Sequence, residues 1–388
     1  MFQIRTLNNI SARGLERLPR DQYEVASEIN RPDAILVRSA NMHEMELPET
    51  LKAIGRAGAG VNNIPVDAMS QRGVPVFNAP GANANAVKEL VLAAMLMGAR
   101  NIPQAWEYTR NLQESGEALT KAVEDGKKQF AGFELPGRTL GVVGLGAIGR
   151  AIADAALALG MRVIGYDPGI TVEGAWQLSA EVERAPNVDA LFAKSEFVTF
   201  HVPLVDATRH ILNAERDKTL PKGAVVLNFA RHGIVDDHAV MEALDSGHLG
   251  AYLCDFPSET NRHHPKVVAL PHLGASTGEA EDNSAMMVAD QVRDYLEDGN
   301  VRNSVNFPET VMERVEGAYR VAVVNSNVPN ILGQVSTDFA DAGLNIIDMI
   351  NKSRGDLAYT LVDVDQPVPE SALEAIRETP GVLSVRIL

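Results

Sequence analysis

The sequence predicts an α/β chain: two doubly wound parallel-sheet domains followed by a small C-terminal βαββαβ module. Three observations predict it. Before residue 98, short β-like runs alternate with helical ones, which favours a parallel sheet with helices on its faces. A second alternating block spans roughly 100–283 and contains TLGVVGLGAIGRAIADAALALGMRVIGYDP, Thr139–Pro168. Residues 319–388 repeat a compact strand–helix order of their own. At 388 residues the chain is also too long for one ordinary core.

In the first block, strands are expected at Gln3–Leu7, Ala34–Arg38, Ala53–Arg56 and Val74–Phe77. A helix over Asn85–Ala99 carries Leu90, Ala93, Ala94 and Met97 on one stripe. After the second block, Thr277–Gly299 reads as one long amphipathic helix, with Thr277 as its cap and Gly299 as its stop. Residues 300–318 contain Pro308 and few apolar positions, the composition of a linker. Strands follow at Tyr319–Val324, Asn345–Asn351, Ala358–Asp363 and Val382–Ile387, with helices at Asn330–Ala342 and Glu370–Thr379. That order is ferredoxin-like. The expected boundaries are 1–98 with 284–305 for a discontinuous first domain, 99–283 for the second, 306–318 for the linker and 319–388 for the module.

A net charge of −16 argues against nucleic acid, whose phosphates demand basic surface. It leaves room for a small anion held by a few arginines in a cleft. The longest apolar run, Glu89–Ala99, is about half of what a membrane span needs, so no membrane is expected. The N-terminal stretch has no apolar signal core, and one cysteine, Cys254, excludes an internal disulfide and a cysteine-cluster metal site. The expected setting is cytoplasmic. His263 and His264 with His272 form a conceivable metal set, but adjacent histidines point apart on an extended chain, and no metal is expected.

In VVGLGAIG the three glycines have separable jobs. Gly144 permits a tight turn, Gly146 lets a pyrophosphate approach the backbone, and Gly149 allows close packing of helix on strand. The helix opening at Ala147 and Ile148 offers unpaired N–H groups to phosphate. A second β-run ends on Asp167, within the roughly 20 residues the Rossmann dinucleotide fold allows. A carboxylate there accepts a ribose diol and repels a 2′-phosphate: two like charges ~4 Å apart at an effective dielectric of ~20 cost about 4 kcal/mol. NAD rather than NADP is expected.

Hydride transfer to or from a hydroxy acid also needs a proton carrier, a cation for the carboxylate and a group that tunes the carrier. Three segments after β-runs supply candidates: Arg231 in VVLNFARHGIVD, Asp255 and Glu259 in YLCDFPSE, and His272 in VVALPHLGAST. Ligands in such sheets bind beyond the carboxyl ends of strands. At Asn228–Asp236 and Pro271–Ser276 the chain resembles the D-2-hydroxyacid dehydrogenase family. The resemblance implies that Arg231 binds the substrate carboxylate, His272 carries the hydroxyl proton and Glu259 orients and charges the imidazole. It also implies cofactor contacts from His201, Val202, Pro203, Ala230, Arg231, Asp255, His272 and Gly274. The family's aspartate before the glutamate segment is shifted by one here, and the stretch from Glu259 to His272 is short.

In the first block, ILVRSA offers Arg38 and Ser39, GRAGAGVNNI offers Arg56 and the turn Ala59–Gly60–Val61, and FNAPGANANAVKEL offers Asn83. Two arginines near one anion suggest a phosphate besides a carboxylate. These segments resemble the branch of the family acting on 3-phosphoglycerate, the entry to serine synthesis. Other hydroxyacid dehydrogenases, such as a hydroxypyruvate or glyoxylate reductase, and an NAD-sensing corepressor-like protein are the alternatives. The last 70 residues resemble the ACT domain, a regulatory module that implies a homodimer or homotetramer. Asn325, Asn327 and Asn345 are then candidates for binding serine, against a purely dimerising role. Asn330 stands where such turns commonly have glycine.

Overall fold

Apolar runs flanked by turns fold as expected into parallel strands, and the computed structural model describes all 388 residues. The chain divides into two units, one of Met1–Ala82 with Glu281–Leu388 and one of Asn83–Ala280.

The first unit opens with a parallel sheet ordered β2-β1-β3-β4-β5. Its strands are β1 (Phe2–Leu7), β2 (Tyr23–Ala26), β3 (Ala34–Val37), β4 (Ala53–Arg56) and β5 (Val76–Phe77), with short helices α1 (Ala12–Leu15) and α2 (Val66–Gln71). β5 begins two residues later than the sequence suggests. Pro75 has no N–H to give the ladder, and the N–H of Val74 turns back to Met69 O at 2.9 Å.

The second unit carries a wholly parallel seven-stranded sheet ordered β12-β11-β10-β9-β6-β7-β8. The chain enters it through α3 (Ala84–Arg100), α4 (Ile102–Asn111) and α5 (Gly116–Gly126). Then come β6 (Thr139–Val143), α6 (Ala147–Ala158), β7 (Arg162–Tyr166), α7 (Val172–Trp176), β8 (Glu183–Arg184), α8 (Val188–Lys194) and β9 (Phe197–Phe200). The unit ends with β10 (Ala224–Asn228), α9 (Asp237–Asp245), β11 (Leu249–Cys254) and β12 (Val267–Ala269). The expected boundary at residue 98 moves back to 82. Val87, Val91, Ala94, Met95 and Ala99 of α3 enter one core with Leu140, Val142 and Phe197, which binds the helix to this sheet.

The chain returns to the first unit within α10 (Gly278–Asp298), whose Val288, Ala289, Val292 and Tyr295 complete the core around Ile4, Ala34 and Leu36. The C-terminal module follows as β13 (Tyr319–Ser326), α11 (Ile331–Asp341), β14 (Ile346–Arg354), β15 (Leu357–Val364), α12 (Glu370–Glu378) and β16 (Val382–Ile387). Its antiparallel sheet, β14-β15-β13-β16, has the expected βαββαβ order.

The segment 306–318 is not a loose linker. Phe307 and Met312 enter the first unit's core, and Thr310 is fully buried, exchanging backbone bonds with Val301. Every residue of β15 is buried, because the module's sheet is covered on both faces. Val321, Val323, Val362 and Val364 meet α11 and α12. Ala322, Val324, Tyr359 and Leu361 share the core of Phe77, Val292 and Tyr295. Between the layers, Arg320 and Asp363 form an ion pair at 2.7 Å with neither side chain exposed. The remaining guanidinium protons go to the carbonyls of Asp298, Met312 and Glu313.

Candidate active site

In the second unit the glycine turn follows β6, an interior strand between β9 and β7. Gly144 has φ +92°, and a Cβ there would lie 2.4 Å from His201 O. At Gly149 a Cβ would lie 1.9 Å from Gly144 O, whereas at Gly146 it would meet nothing within 4 Å. The open position is the one a pyrophosphate must approach, and the N-terminus of α6 faces the same turn. Asp167, just beyond β7, accepts from Leu145 N at 2.8 Å through one oxygen and from Gly169 N at 2.9 Å through the other. Each oxygen keeps a lone pair for a ribose diol. Arg150, which the motif does not reveal, braces the turn through Nη1 to Leu145 O at 2.9 Å. The cradle therefore fits a dinucleotide.

His201, one residue past β9, shares a hydrogen bond of 2.8 Å between Nε2 and Thr199 Oγ1. Burial holds its imidazole neutral, with the pKa lowered to about 3. Val202 packs on the core of that half of the sheet, and Pro203 continues the turn. Burial likewise pushes the Cys254 thiol up to about 11, which keeps it from acting as a nucleophile.

The three catalytic candidates stand beyond neighbouring strands. Arg231 follows β10, Glu259 follows β11 and His272 follows β12. Adjacent strands lie about 4.8 Å apart, so the outer two strand ends are separated by about 10 Å. All three side chains are exposed. Asn228 shapes the first turn: its Nδ2 donates to Arg231 O at 3.0 Å and its Oδ1 accepts from Ala230 N at 3.2 Å.

His272 has φ +54°, a left-handed conformation uncommon for a side chain of its kind. Asp255 holds it there. This fully buried carboxylate accepts from Leu273 N at 2.8 Å and from Gly274 N at 2.7 Å, and its carbonyl accepts from His272 N at 3.2 Å. Asp255 and Gly274, expected to contact cofactor, are thus engaged with one another. Phe256 supports the imidazole at a ring separation of 5.2 Å.

The expected hydrogen bond from Glu259 to His272 is not formed. The short loop after β11 is tied back to α9, through Ser258 Oγ to Asp237 Oδ2 at 2.7 Å, and this leaves the Glu259 carboxylate in solvent. His264 cannot join a metal set with His263 and His272. Its Nε2 meets Asp245 Oδ1 at 3.2 Å and its Nδ1 accepts from Lys266 N at 3.1 Å.

In the first unit, Arg38 and Ser39 leave β3 and Arg56 ends β4, its neighbour. Arg56 Nε donates to Arg38 O at 3.1 Å, and its guanidinium lies across Gly58, where a Cβ would come within 1.9 Å of Nη1. Arg38 pairs with Glu281 at 2.5 Å. Asn8, with φ +67°, accepts from Ser39 N at 3.1 Å and Ala40 N at 2.6 Å, and Asn63 donates to Ala40 O at 2.8 Å. The backbone N–H groups of Ala59, Gly60 and Val61 donate to no acceptor within the chain, as an anion-binding turn requires. Asn83 belongs to the other unit, half-buried at the start of α3. Sequence reading missed Asn8, Asn63 and Arg150; the only hint was an asparagine directly after a strand.

In the module, Asn325 is buried and donates to Ser326 O at 2.7 Å, whereas Asn327 is exposed and donates to Gly355 O at 3.0 Å. The Asn345 N–H donates to Asp365 Oδ1 at 3.0 Å, and its carbonyl accepts from Asp365 N at 3.1 Å. Asn330 adopts φ +73°, the left-handed conformation a glycine would otherwise supply.

Residues 92–274 match the D-isomer specific 2-hydroxyacid dehydrogenase, NAD binding domain. A D-3-phosphoglycerate dehydrogenase of Methanocaldococcus jannaschii is 37% identical over 88% of this chain and 63% of its own length. The chain thus spans a little under two thirds of that relative. The D-3-phosphoglycerate dehydrogenase of Haemophilus influenzae is 32% identical over 89% of this chain and 83% of its own length. The crystal structure of cofactor (NAD+)-bound 3-phosphoglycerate dehydrogenase from Entamoeba histolytica superposes with a TM-score of 0.61 at 27% identity, over 79% of this chain and 98% of that one. Likeness on this scale makes the chain a member of the D-isomer specific 2-hydroxyacid dehydrogenase family.

Proposed function

We propose that this chain oxidises 3-phospho-D-glycerate to 3-phosphohydroxypyruvate with NAD, the first step of serine synthesis. The observation that carries the reading is the sequence of three neighbouring strand ends, bearing Arg231, Glu259 and His272, in the same sheet as β6, which opens the dinucleotide turn. NAD, when bound, supplies the acceptor for the hydride leaving C2. His272 takes the C2 hydroxyl proton as that C–H bond breaks, and returns it in reduction. Arg231 binds the carboxylate and the oxygen that becomes the carbonyl. Glu259 moves onto the far imidazole nitrogen and favours the imidazolium. The strained His272 backbone, fixed by Asp255, keeps the imidazole at one station through the cycle.

Arg38 and Arg56 bind the substrate phosphate, with the Ala59–Val61 turn, Ser39 and Asn83 completing substrate binding. Homodimers or homotetramers belong to the same reading. Trp106 is 61% exposed, and Ile102 and Leu96 are each nearly half exposed, an apolar surface that suits a second copy. Serine is the proposed effector at Asn325, Asn327 and Asn345, and the setting is cytoplasmic.

The test is steady-state NADH formation from 3-phosphoglycerate, D-glycerate and D-lactate, each with and without serine. Two charge-assisted contacts to phosphate, each about 1.5–3 kcal/mol, predict at least a roughly hundredfold gain in kcat/KM for the phosphorylated acid. Equal kcat/KM for all three would overturn the phosphate assignment and leave a general hydroxyacid dehydrogenase.

A further inference from the structure

We propose that Asn261 is the positioning residue of the catalytic acid: with Ser258 it anchors the loop after β11 to Asp237 and fixes where Glu259 stands. The inference rests on the reading of Glu259 as the partner of His272. Asn261 has no solvent exposure, yet its side chain is saturated with hydrogen bonds. Its Oδ1 accepts from Ser258 N at 2.9 Å, and its Nδ2 donates to Phe256 O at 3.1 Å and to Asp237 Oδ2 at 3.1 Å. Ser258 Oγ donates to the same carboxylate oxygen at 2.7 Å and accepts from Asn261 N at 3.2 Å. Backbone bonds from Arg262 N to Ser258 O and from His264 N to Asn261 O close the turn on both sides. Glu259 lies between the two anchored residues and, like its neighbour Thr260, is exposed.

Two features separate positioning from simple loop closure. The anchor, Asp237, is the first residue of α9, so the turn that presents Arg231 leads directly into it. One carboxylate therefore joins the main chain behind the guanidinium to the main chain behind the acid. The second feature is that burial falls on Asn261 while Glu259 keeps its side chain unengaged. A fixed backbone with a loose carboxylate reduces the acid's search for the imidazole to side-chain rotation. Misplacement by about 1 Å in such a group costs about a hundredfold in rate.

The experiment compares Glu259→Gln, Asn261→Ala and the double variant in kcat, the pH profile of kcat, NADH affinity and melting temperature. Glu259→Gln is expected to lower kcat and to move the acid limb of its pH profile, because the carboxylate that assists proton transfer is gone. Asn261→Ala is expected to lower kcat at least about tenfold, to move the limb in the same direction and to leave NADH affinity within about threefold. The double variant is expected to be no slower than Glu259→Gln alone. Losses that multiply in the double variant, or a lower kcat with an unmoved limb, would overturn the proposal. If Asn261→Ala does not fold, Ser258→Ala, which removes the two hydroxyl bonds of the anchor and spares the buried amide, is put through the same comparison. Glu259→Gln with normal kcat and an unmoved limb would instead remove the acid assignment, and that outcome is distinct from a failure of the anchor alone.

Discussion

Asp167 shows how one side chain serves two ends. Its oxygens each receive a backbone N–H, which fixes the carboxylate beside the glycine turn, and its charge disfavours a cofactor with an extra phosphate. Asp167→Asn keeps one acceptor and removes the charge. The ratio of kcat/KM with NADP to that with NAD should rise at least about tenfold, which parallel assays with the two cofactors measure. An unmoved ratio would mean that another residue selects. Residues with this kind of role were legible because motif chemistry demands an acid at a strand end. Asn8 and Asn63 were not, because they act through backbone groups that only the folded turn brings near. The unformed Glu259–His272 bond was illegible for the same reason: it depends on where Asn261 and Asp237 hold a loop, and spacing along the chain does not encode that.

The turn after β12 shows the same thing for an element. It carries His272, the proposed proton shuttle, in a left-handed conformation, and Asp255 at the end of neighbouring β11 receives two of its N–H groups. Asp255→Asn offers one good acceptor where two are needed. A buried N–H left without a partner costs about 1–3 kcal/mol, so the melting temperature should drop, and kcat should fall at least about tenfold as His272 loses its station. Calorimetry with turnover assays checks both; full activity would show that the strained turn holds itself. Among regular elements, α3, α10 and the module's six elements were readable to within three residues, since their periodicity is strong. β2 was not, because Tyr23–Ala26 is a four-residue edge strand with little apolar signal.

At the scale of the whole molecule, the C-terminal module is part of the first unit and does not hang from it. Sequence composition suggested a linker at 306–318, because the two apolar side chains that enter the core, Phe307 and Met312, are sparse there. A chain ending at residue 318 would uncover the face that Val324, Tyr359 and Leu361 now cover. It is expected to aggregate or melt without cooperativity, whereas a detachable module would leave a stable dehydrogenase. Solubility and calorimetry of the truncated chain decide between them. Arg320→Ala in the intact chain should cost about 3–5 kcal/mol, because Asp363 would keep a buried charge with no partner.

The first unit is also made of two distant chain segments. Val288, Val292 and Tyr295, which seal the hydrophobic interior around Ile4 and Leu36, leave the ribosome roughly 200 residues after Ala82, about ten to forty seconds later. For that interval the nascent N-terminal strands wait with an unsealed apolar surface while the intervening nucleotide unit is already complete enough to fold. Synthesis of this chain is therefore most exposed to aggregation at strands β1 to β5, and a chaperone that shields nascent apolar chain should raise its yield more than one that acts after release.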